Sequence, residues 1–512
     1  MDYFWPSLFL CLSKTITNLL SSLKINSFSK TNFEFYLIGV FLLLLNMSYF
    51  LDHHSPDLLL IVLVLAVFVG VVFLFYKKEY LLYLLSFTVP LTLPVALFNG
   101  AKLNFPSELI CVILSTYICL RILIGYKIDW SFLKHPITLI LMIDLVWLLI
   151  TSVQSSMPEV SYKRFIIRFI YILSYYLFFY ELFKLNSKYI LIVFAIHCLG
   201  LIWPILNTFQ HHWVLDFSPS VASKACWPFY NDHTIYGAVL VFFIPFLIYM
   251  SFQPKVNAYI KIGFILLLAL FCIAAFFSFS RAALASLLLS GIIFLIIKFK
   301  VKLIYFIICV VLFLSSILVF QNSILDYLDR SKYVSQKNDL GMHFKSVANV
   351  KTDVSNTERI NRWICAWKMF QEKPFFGYGP GTYQFFYGQF QSRKNMSTIS
   401  TFQGDKGHAH SEYLGYLSET GLFGFLNFLL LIGVIISTAL RVIYQTKNND
   451  IKNICMVVFL GLITFFIHGV FNGFIETDKM AMPVFVSIAA IVSLDLADRK
   501  ANKENDVTKS NL

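Results

Sequence analysis

Long apolar runs are the feature that most constrains how this chain can fold. Hydrophobic residues make up 58% of its 512 residues, and charged residues make up only 13%. A soluble domain contains about 25% charged residues and could not bury this much apolar surface in one core. Because backbone polar groups must be satisfied within hydrocarbon, each run of about 20 apolar residues predicts a membrane-spanning helix. The sequence therefore predicts an all-α polytopic membrane protein.

The spacing of the apolar runs predicts the organisation of the chain. About 14 transmembrane helices are expected, with a range of 12–14 because the ninth and tenth are joined by a very tight turn. The predicted spans lie near 33–51, 57–76, 80–98, 107–125, 136–153, 165–183, 189–207, 235–252, 259–278, 281–297, 303–320, 421–443, 452–472 and 480–496. The predicted regions are an N-terminal cytoplasmic or interfacial segment (1–32), eleven helices (33–320), a large, partly helical outer loop that carries the site (321–420), three helices (421–496) and a polar, disordered cytoplasmic tail (497–512).

The distribution of lysine and arginine among the connectors predicts the orientation in the membrane. One set of connectors carries thirteen lysines, whereas the alternate set carries five lysines or arginines outside the long loop and the Arg281 turn. Cytoplasmic loops are the richer in Lys and Arg, so the first set should be cytoplasmic. Both termini are then cytoplasmic, and residues 321–420 lie on the outer face.

Two cysteines fall in the predicted outer loops. The nine cysteines show no CxxC metal-binding pattern, and most lie within predicted spans, where cysteine is a small apolar residue. Cys226 and Cys365 could form a disulfide in an oxidising compartment, although their positions in the sequence do not establish contact.

The segment from His408 to Gly424 combines two imidazoles with two carboxylates just before an apolar run. Histidine exchanges protons near neutral pH, so a histidine at a membrane surface indicates chemistry on a membrane-bound substrate. His410 is the candidate base or orienting group for an acceptor hydroxyl, with Glu412 and Glu419 as possible orienting partners. A hydrogen-bonded structural histidine is the alternative. A catalytic zinc site would need a third ligand, and none is evident from the spacing.

Three arginines in the outer segments are candidate phosphate ligands. Arg281 lies between two apolar runs, where its guanidinium needs an anionic or carbonyl partner unless it snorkels to the interface. Arg359 and Arg362 share one face of a helix predicted to begin near Thr357 and to end at Lys373-Pro374. They could grip one diphosphate together, or local acids could neutralise them.

The charge of the long loop also favours a phosphate ligand. Residues 321–410 carry twelve Lys or Arg residues against seven Asp or Glu residues. Facing the membrane, this positive excess suits a phosphate or pyrophosphate group, and a solvated basic loop is the alternative.

Together these segments resemble the O-antigen ligase and O-antigen polymerase superfamily of bacterial membrane glycosyltransferases, over roughly residues 225–480. Ser278-Phe279-Ser280-Arg281-Ala282 resembles the family's Ser-Arg-small motif. The sequences similar to its Arg-x3-Trp helix, its Pro-x-x-Gly-x-Gly turn and an Asn-containing outer-loop motif are 358–363, 374–379 and 227–231. The segment from His408 through Gly421 and Gly424 is similar to its His-Asn-x-x-Leu motif, with Ser411 where Asn is usual.

The resemblance implies a glycosyltransferase that acts on the periplasmic face of the bacterial inner membrane. It would move a glycan from undecaprenyl pyrophosphate to lipid A-core, with Arg281 and Arg359 holding the pyrophosphate and His410 serving as base or orienting group. The further substrate-binding candidates are Arg362, His408, Glu412, Glu419 and Asn231. No metal or other cofactor is expected. The expected partners are the undecaprenyl-pyrophosphate-linked glycan donor, an acceptor that is lipid A-core, a glycan or a protein, and membrane lipid, but no nucleic acid.

Other functions remain open at this point. An O-antigen or exopolysaccharide polymerase and a protein O-oligosaccharyltransferase would use nearly the same donor chemistry. A transporter of lipid-linked glycans is the non-enzymatic alternative, and it would need charged or broken helices in mid-membrane. The candidate residues for such a path, which could instead be interhelical hydrogen-bonding partners, are Asp144, Arg168, Glu181, His197 and His468.

Overall fold

The structure is a computed structural model, and it describes residues 79–96, 102–125, 130–301, 354–391 and 407–510. Within these ranges, nine helices are long and apolar enough to cross a membrane. The all-α polytopic class is therefore confirmed. The predicted spans 33–51, 57–76 and 303–320 lie outside the described residues, so a total of fourteen helices stays a prediction.

The elements follow one another as helices with a single small hairpin near the start of the described chain. The helices are α1 (Glu79–Leu91), α2 (Ser107–Leu123), α3 (Pro136–Val153), α4 (Pro158–Leu185), α5 (Lys188–Val214), α6 (Ala222–Ala225), α7 (His233–Phe252), α8 (Ala258–Phe277), α9 (Arg281–Lys298), α10 (Val354–Glu372), α11 (Tyr383–Phe390), α12 (Glu412–Gln445), α13 (Asn449–His468) and α14 (Asp478–Ser510). The hairpin is antiparallel and pairs β1 (Leu93–Ala96) with β2 (Lys102–Phe105). Within α4, residues 172–177 form a π-helical turn.

The predicted span over 80–98 is wrong in its C-terminal part. Helix α1 ends at Leu91 and the chain turns into β1, because Pro90 and Pro94 lack the N–H groups that a continuing helix requires. The buried Lys479 of α14 donates hydrogen bonds to three carbonyl oxygens at this end of α1, at 2.8 to 3.1 Å. These bonds satisfy carbonyls that an ending helix leaves without partners.

The prediction of a disordered tail is also wrong. Helix α14 continues without a break to Ser510. At the end of the apolar part of the helix, Arg499 pairs with the buried Asp495 at 2.9 Å, and further on Lys500 lies 4.0 Å from Glu504. Oppositely charged residues four positions apart stabilise a solvated helix, which accounts for its extension beyond the predicted span.

Three further boundaries differ from the predictions. Helix α5 runs to Val214, into the segment expected to be a loop from 208. Helix α10 begins at Val354, before Thr357, and ends at Glu372, as the following Lys-Pro pair predicted. Helix α12 begins at Glu412 rather than at 421, so the polar segment leads directly into a helix.

Four helices form the centre of the bundle. In their most apolar 18-residue parts, α14 is 89% buried, α7 is 83%, α5 is 78% and α13 is 72%, whereas α9 is only 22% buried. Helix α7 packs against α8, α9 and α13, and α14 packs against α4 and α13. Helices α8 and α9 therefore lie at the edge of the described bundle, with apolar faces directed outwards.

A buried network of charges joins the helices to the loop between α13 and α14. Arg168 of α4 bonds Glu476 at 2.6 Å and the Tyr416 hydroxyl at 2.8 Å, and it lies 3.7 Å from Asp144 of α3. Arg164, one turn earlier, contacts the other Glu476 oxygen at 2.9 Å. Removing one partner would leave an uncompensated buried charge, which costs several kcal/mol. The network thus holds the α13–α14 loop against α3, α4 and α12.

The residues considered above as a transport path have partners of this structural kind. Arg168 belongs to the charge network described above. Of the other four candidates, three have ion pairs or hydrogen bonds, and the ring of the fourth stacks on a phenylalanine. The pairs are Asp144 with Arg168, Glu181 with Arg121, His468 with Asn472, and His197 with Phe243. The ion pairs and hydrogen bonds of Asp144, Arg168 and Glu181 are therefore structural contacts within the fold.

A glycine turn between α10 and α11 docks against a kink in α12. Gly421 has a φ angle of 70°, in the left-handed region that glycine adopts without steric cost. The kink frees backbone groups on both sides. The Leu422 N–H donates to the Pro374 carbonyl at 2.8 Å, and the Tyr378 N–H donates to the Ser418 carbonyl at 3.0 Å. Segment 373–382 is fastened to the bundle in this way.

Replacement of Gly421 tests this junction. A Cβ atom at residue 421 would lie 2.1 Å from the Phe375 carbonyl oxygen, in addition to the backbone strain, so Gly421→Ala should lower the free energy of unfolding by about 1–3 kcal/mol. Gly433→Ala is the matched control, because a Cβ there, on the same helix, meets no atom within 4 Å. Thermal unfolding of the detergent-solubilised protein measures the stability of both variants. Equal unfolding midpoints would contradict the close contact between residue 421 and the Phe375 carbonyl.

Candidate active site

The turn before α12 holds the two histidines that the sequence predicted. His410 has a φ angle of 50°, which is uncommon for a residue other than glycine. The indole N–H of Trp363 donates to the His410 carbonyl at 3.0 Å, and the His410 N–H donates to Nδ1 of His408 at 3.0 Å. Ser411 caps α12 by accepting a backbone N–H of the first helical turn at 3.4 Å, a role that asparagine fills equally well. These bonds fix the position of the His410 ring.

Hydrogen bonds also determine the tautomers of both imidazoles. Because Nδ1 of His408 accepts a bond, the proton of that ring lies on Nε2. Nδ1 of His410 faces the amide oxygen of Asn472 at 3.5 Å, and the amide nitrogen of Asn472 lies 2.9 Å from Nε2 of His468. An amide that donates to His468 turns its oxygen towards His410. A proton on Nδ1 of His410 completes this contact, and in that tautomer the Nε2 lone pair is available to accept a proton.

Positive charge surrounds these histidines. Burial, followed by the charges of Arg362 and Arg359, lowers the pKa of His410 to about 4, although Asp232 acts in the opposite direction. Burial, followed by His410 and Arg362, lowers the pKa of His408 to about 3. Both rings are consequently neutral at neutral pH, and His410 is in the state that can act as a base.

The two arginines of α10 have different surroundings. Arg362 bonds Glu358 at 2.8 Å and the His408 carbonyl at 3.2 Å, and its guanidinium lies 4.7 Å from the centre of the Tyr387 ring. Arg362 therefore supports the histidine turn as a structural group. Arg359 is half-buried on the same face of the helix, and its charge acts on both imidazoles. It is the better candidate to meet a ligand.

The loop before α7 reaches the same place. Asp232 caps α7 by accepting the Thr234 N–H at 2.9 Å, and it contacts His233 at 3.1 Å. Burial would raise the pKa of Asp232, but His233 and Thr234 more than offset this and lower it. Its negative charge acts on His410. Asn231, the residue selected from the sequence, is the exposed neighbour of this carboxylate.

The backbone places Arg281 near the end of α7 that Asp232 caps. It is the first residue of α9 and is half-buried. The preceding Ser278 and Ser280 pack on Gly237, where a Cβ atom would come within 2.7 and 2.9 Å of them. Gly237 is in the second turn of α7, the helix capped by Asp232. The arginines whose charges act on the histidines are Arg362 and Arg359, so Arg281 joins the site less closely than they do.

The two glutamates of α12 hold loops in place. Glu412 accepts two backbone N–H groups of the α13–α14 loop, including that of Ile475 at 2.6 Å, and this fastens the loop that carries Asn472. Glu419 accepts two backbone N–H groups after the glycine turn, both at 2.9 Å. The side chain beside His410 is therefore Asn472, and the glutamates orient the site through the backbone.

Asn472 is the functional candidate that the sequence analysis missed. It fell within the predicted span 452–472, but α13 ends at His468, and Asn472 belongs to the loop. It is 62 positions from His410, so no local spacing relates the two. The weak signal was a polar side chain immediately after an apolar helix, close to a histidine.

Cys226 and Cys365, whose pairing the sequence left open, do not form a disulfide. Both are free, buried thiols. Cys226 packs in the main core of the bundle. Cys365 packs with Met369 and Tyr383 in a separate cluster around α10 and α11. In the part of the chain that the structure describes, no three His, Cys, Asp or Glu side chains are grouped to hold a metal ion. Metal independence stays a prediction.

Comparison with known proteins bears on the same segments. Residues 264–429 match the family model described as O-antigen ligase. The matched range includes Arg281, helix α10, the glycine turn and the turn that carries His408 and His410. No curated protein matches the chain. The resemblance to the O-antigen ligase and O-antigen polymerase superfamily is thereby confirmed over residues 264–429 of this multi-pass membrane protein.

Proposed function

We propose that the protein is a glycosyltransferase of the O-antigen ligase type. It transfers a glycan from undecaprenyl pyrophosphate to lipid A-core at the periplasmic face of the bacterial inner membrane, with both termini in the cytoplasm. The observation that carries the proposal is the His410 ring, which is neutral, has a proton-accepting Nε2 and lies among cationic groups inside the O-antigen ligase match. This arrangement suits proton removal next to a phosphate-bearing substrate.

The reaction follows from these positions. The acceptor hydroxyl oxygen attacks the anomeric carbon of the donor, and the bond from that carbon to the diphosphate oxygen breaks. The hydroxyl proton passes to Nε2 of His410, and undecaprenyl diphosphate leaves with the electron pair. Arg359 and Arg281 hold the diphosphate and stabilise the charge that builds on it. Because that charge is larger in the transition state than in the bound donor, their contribution accelerates the reaction.

The donor also adjusts the strength of the base. In the free protein, the guanidinium charges of Arg359 and Arg362 disfavour an imidazolium at His410. A bound diphosphate brings negative charge that offsets them, which raises the pKa of the ring towards its ordinary range. His410 then becomes a stronger base when a donor is present, and Asp232 acts in the same direction.

The acceptor distinguishes ligation from related activities. An O-antigen or exopolysaccharide polymerase would use a second glycan as acceptor, and a protein O-oligosaccharyltransferase would use a hydroxyl amino acid. Each would retain the same donor, base and arginines, so assays with separate acceptors decide among them.

His410→Ala tests the base. Loss of general-base assistance should reduce transfer by about 10²–10⁴-fold in proteoliposomes that contain undecaprenyl-pyrophosphate glycan and one acceptor at a time. His211→Ala is the control, because that imidazole bonds the Ala225 carbonyl at 3.0 Å and lies outside the histidine turn. Wild-type transfer by His410→Ala would refute the catalytic role. Movement of intact donor without cleavage would instead indicate transport.

Arg359→Lys tests the diphosphate site. Lysine keeps the charge but loses the planar fork that binds phosphate through two parallel bonds, so the affinity for undecaprenyl pyrophosphate should fall about tenfold. Lys368→Arg on the same helix is the control, because the Lys368 ammonium group bonds the Phe390 carbonyl at the end of α11. Quenching of tryptophan fluorescence by undecaprenyl pyrophosphate measures both affinities. An unchanged affinity in Arg359→Lys would remove that residue from the site.

The pH dependence tests the contact between Asn472 and His410. A base works when deprotonated, so kcat/KM, which reports the free protein, should be level near neutral pH and fall as the pH drops through about 4. Asn472→Asp retains the oxygen beside Nδ1 and adds negative charge, which should move this acidic limb to higher pH. Asn472→Leu should lower the rate because it removes the acceptor that sets the tautomer. An acidic limb at the same pH in Asn472→Asp would contradict the contact.

A further inference from the structure

A cavity of about 330 Å3 adjoins the turn that carries His410. One wall is formed by His408, Ala409 and Ser411, and the others come from α4, α12, the glycine turn and the α13–α14 loop. Its volume is at the lower end of the range for small-molecule sites, about 300–1,000 Å3. The described structure thus has a half-open pocket next to the turn of the proposed base, with His408 rather than His410 in its wall.

The charge of this cavity is opposite to that of the arginine side of the turn. Glu412, Glu419 and Glu476 line it together with Arg164, and Arg168 pairs with Glu476 from behind the wall, so carboxyl groups outnumber guanidinium groups around this space. Neither Arg359 nor Arg362, the arginines whose charges act on His410, is part of the lining. A diphosphate would be repelled from such a site, whereas a ligand with neutral hydroxyl or cationic amino groups would be favoured.

The hydrogen-bonding groups of the cavity are already held in position. Glu419 is fixed by two backbone N–H groups, and Glu476 is fixed by Arg164 and Arg168. Since the proton of the His408 ring lies on Nε2, that ring can donate a hydrogen bond to a ligand oxygen. Carboxylates that accept from hydroxyls, an imidazole that donates and tyrosine rings in the walls match the alternating polar and apolar surfaces of a sugar.

We infer that this cavity is the acceptor subsite and takes the terminal neutral or amino sugar of the acceptor. The inference rests on the proposed function. The sugar packs against His408 and presents one hydroxyl to His410, whose ring centre is 4.6 Å from that of His408. The donor diphosphate lies on the arginine side of the same turn. Opposite charges on the two sides keep donor and acceptor in their own subsites and align the hydroxyl with the anomeric carbon.

Gly415 offers a way to fill the cavity without disturbing the backbone. It lines the cavity on α12, and a Cβ atom there would meet nothing within 4 Å. Gly415→Phe should therefore occupy the space of the sugar, whereas Gly415→Ser should leave most of it open. Gly433→Phe is the matched control, because Gly433 is on the same helix, is equally unobstructed and lies away from the cavity.

Two binding measurements on the full chain in detergent separate the subsites. Saturation-transfer NMR reports the binding of neutral oligosaccharides of hexose and N-acetylhexosamine, and tryptophan fluorescence reports the binding of undecaprenyl pyrophosphate. In Gly415→Phe, the sugar signal should fall about tenfold, with an undecaprenyl pyrophosphate affinity within about twofold of wild type. Gly415→Ser and Gly433→Phe should retain both. If Gly415→Phe lowers the midpoint of thermal unfolding, Gly415→Leu provides the same comparison.

Three results would overturn the inference. These are an unchanged sugar signal in the filled variant, no sugar signal from the wild type with any of the oligosaccharides, and loss of undecaprenyl pyrophosphate binding in place of sugar binding. The last would make the cavity part of the donor site. Failure of the wild type to bind undecaprenyl pyrophosphate would count against the proposed function instead, and would leave a positive sugar result standing.

Discussion

The anchoring of the α13–α14 loop is the interaction on which the rest of the site depends. Glu476 is held by Arg164 and Arg168 inside the bundle, and Glu412 holds the loop from the start of α12. A buried ion pair costs desolvation energy, so it gives specific placement more than stability. Here the placement is that of Asn472 beside His410. The charge network of the membrane bundle and the histidine turn outside it are therefore parts of one structure.

Segment 373–382 is fastened to the bundle by backbone contacts that only glycine permits. The kink at Gly421 exposes N–H and C=O groups of α12, and the glycine turn pairs with them at close range. Helix α10 then packs along α12 with Arg362 bound to the backbone of the histidine turn. The conformation of His410 is uncommon for its residue type, and such a conformation persists only where the surroundings hold it.

The histidine turn has cationic groups on one side and carboxyl groups on the other, and in the proposed reaction this separation places the two substrates. Cationic groups on one side suit a diphosphate, and carboxylates on the other suit a hydroxylated acceptor. Burial and the arginine charges keep the imidazole between them neutral at neutral pH in the free protein. In the proposed reaction, this field would direct the diphosphate and the hydroxylated acceptor to different sides of the turn.

The sequence by itself determined the membrane class, since the hydrophobic surface is too large for any soluble core, and it located the histidine turn, the arginine helix α10 and the end of that helix at Lys373. It could not reveal the hydrogen bonds by which Lys479, nearly 400 residues away, satisfies the carbonyl groups at the end of α1, nor the separation of Cys226 from Cys365. Asn472 and the cavity are likewise products of the tertiary structure. Hydrophobic and helical signals are local in the chain, whereas hydrogen bonds between distant loops and the space they enclose exist only once the helices have packed.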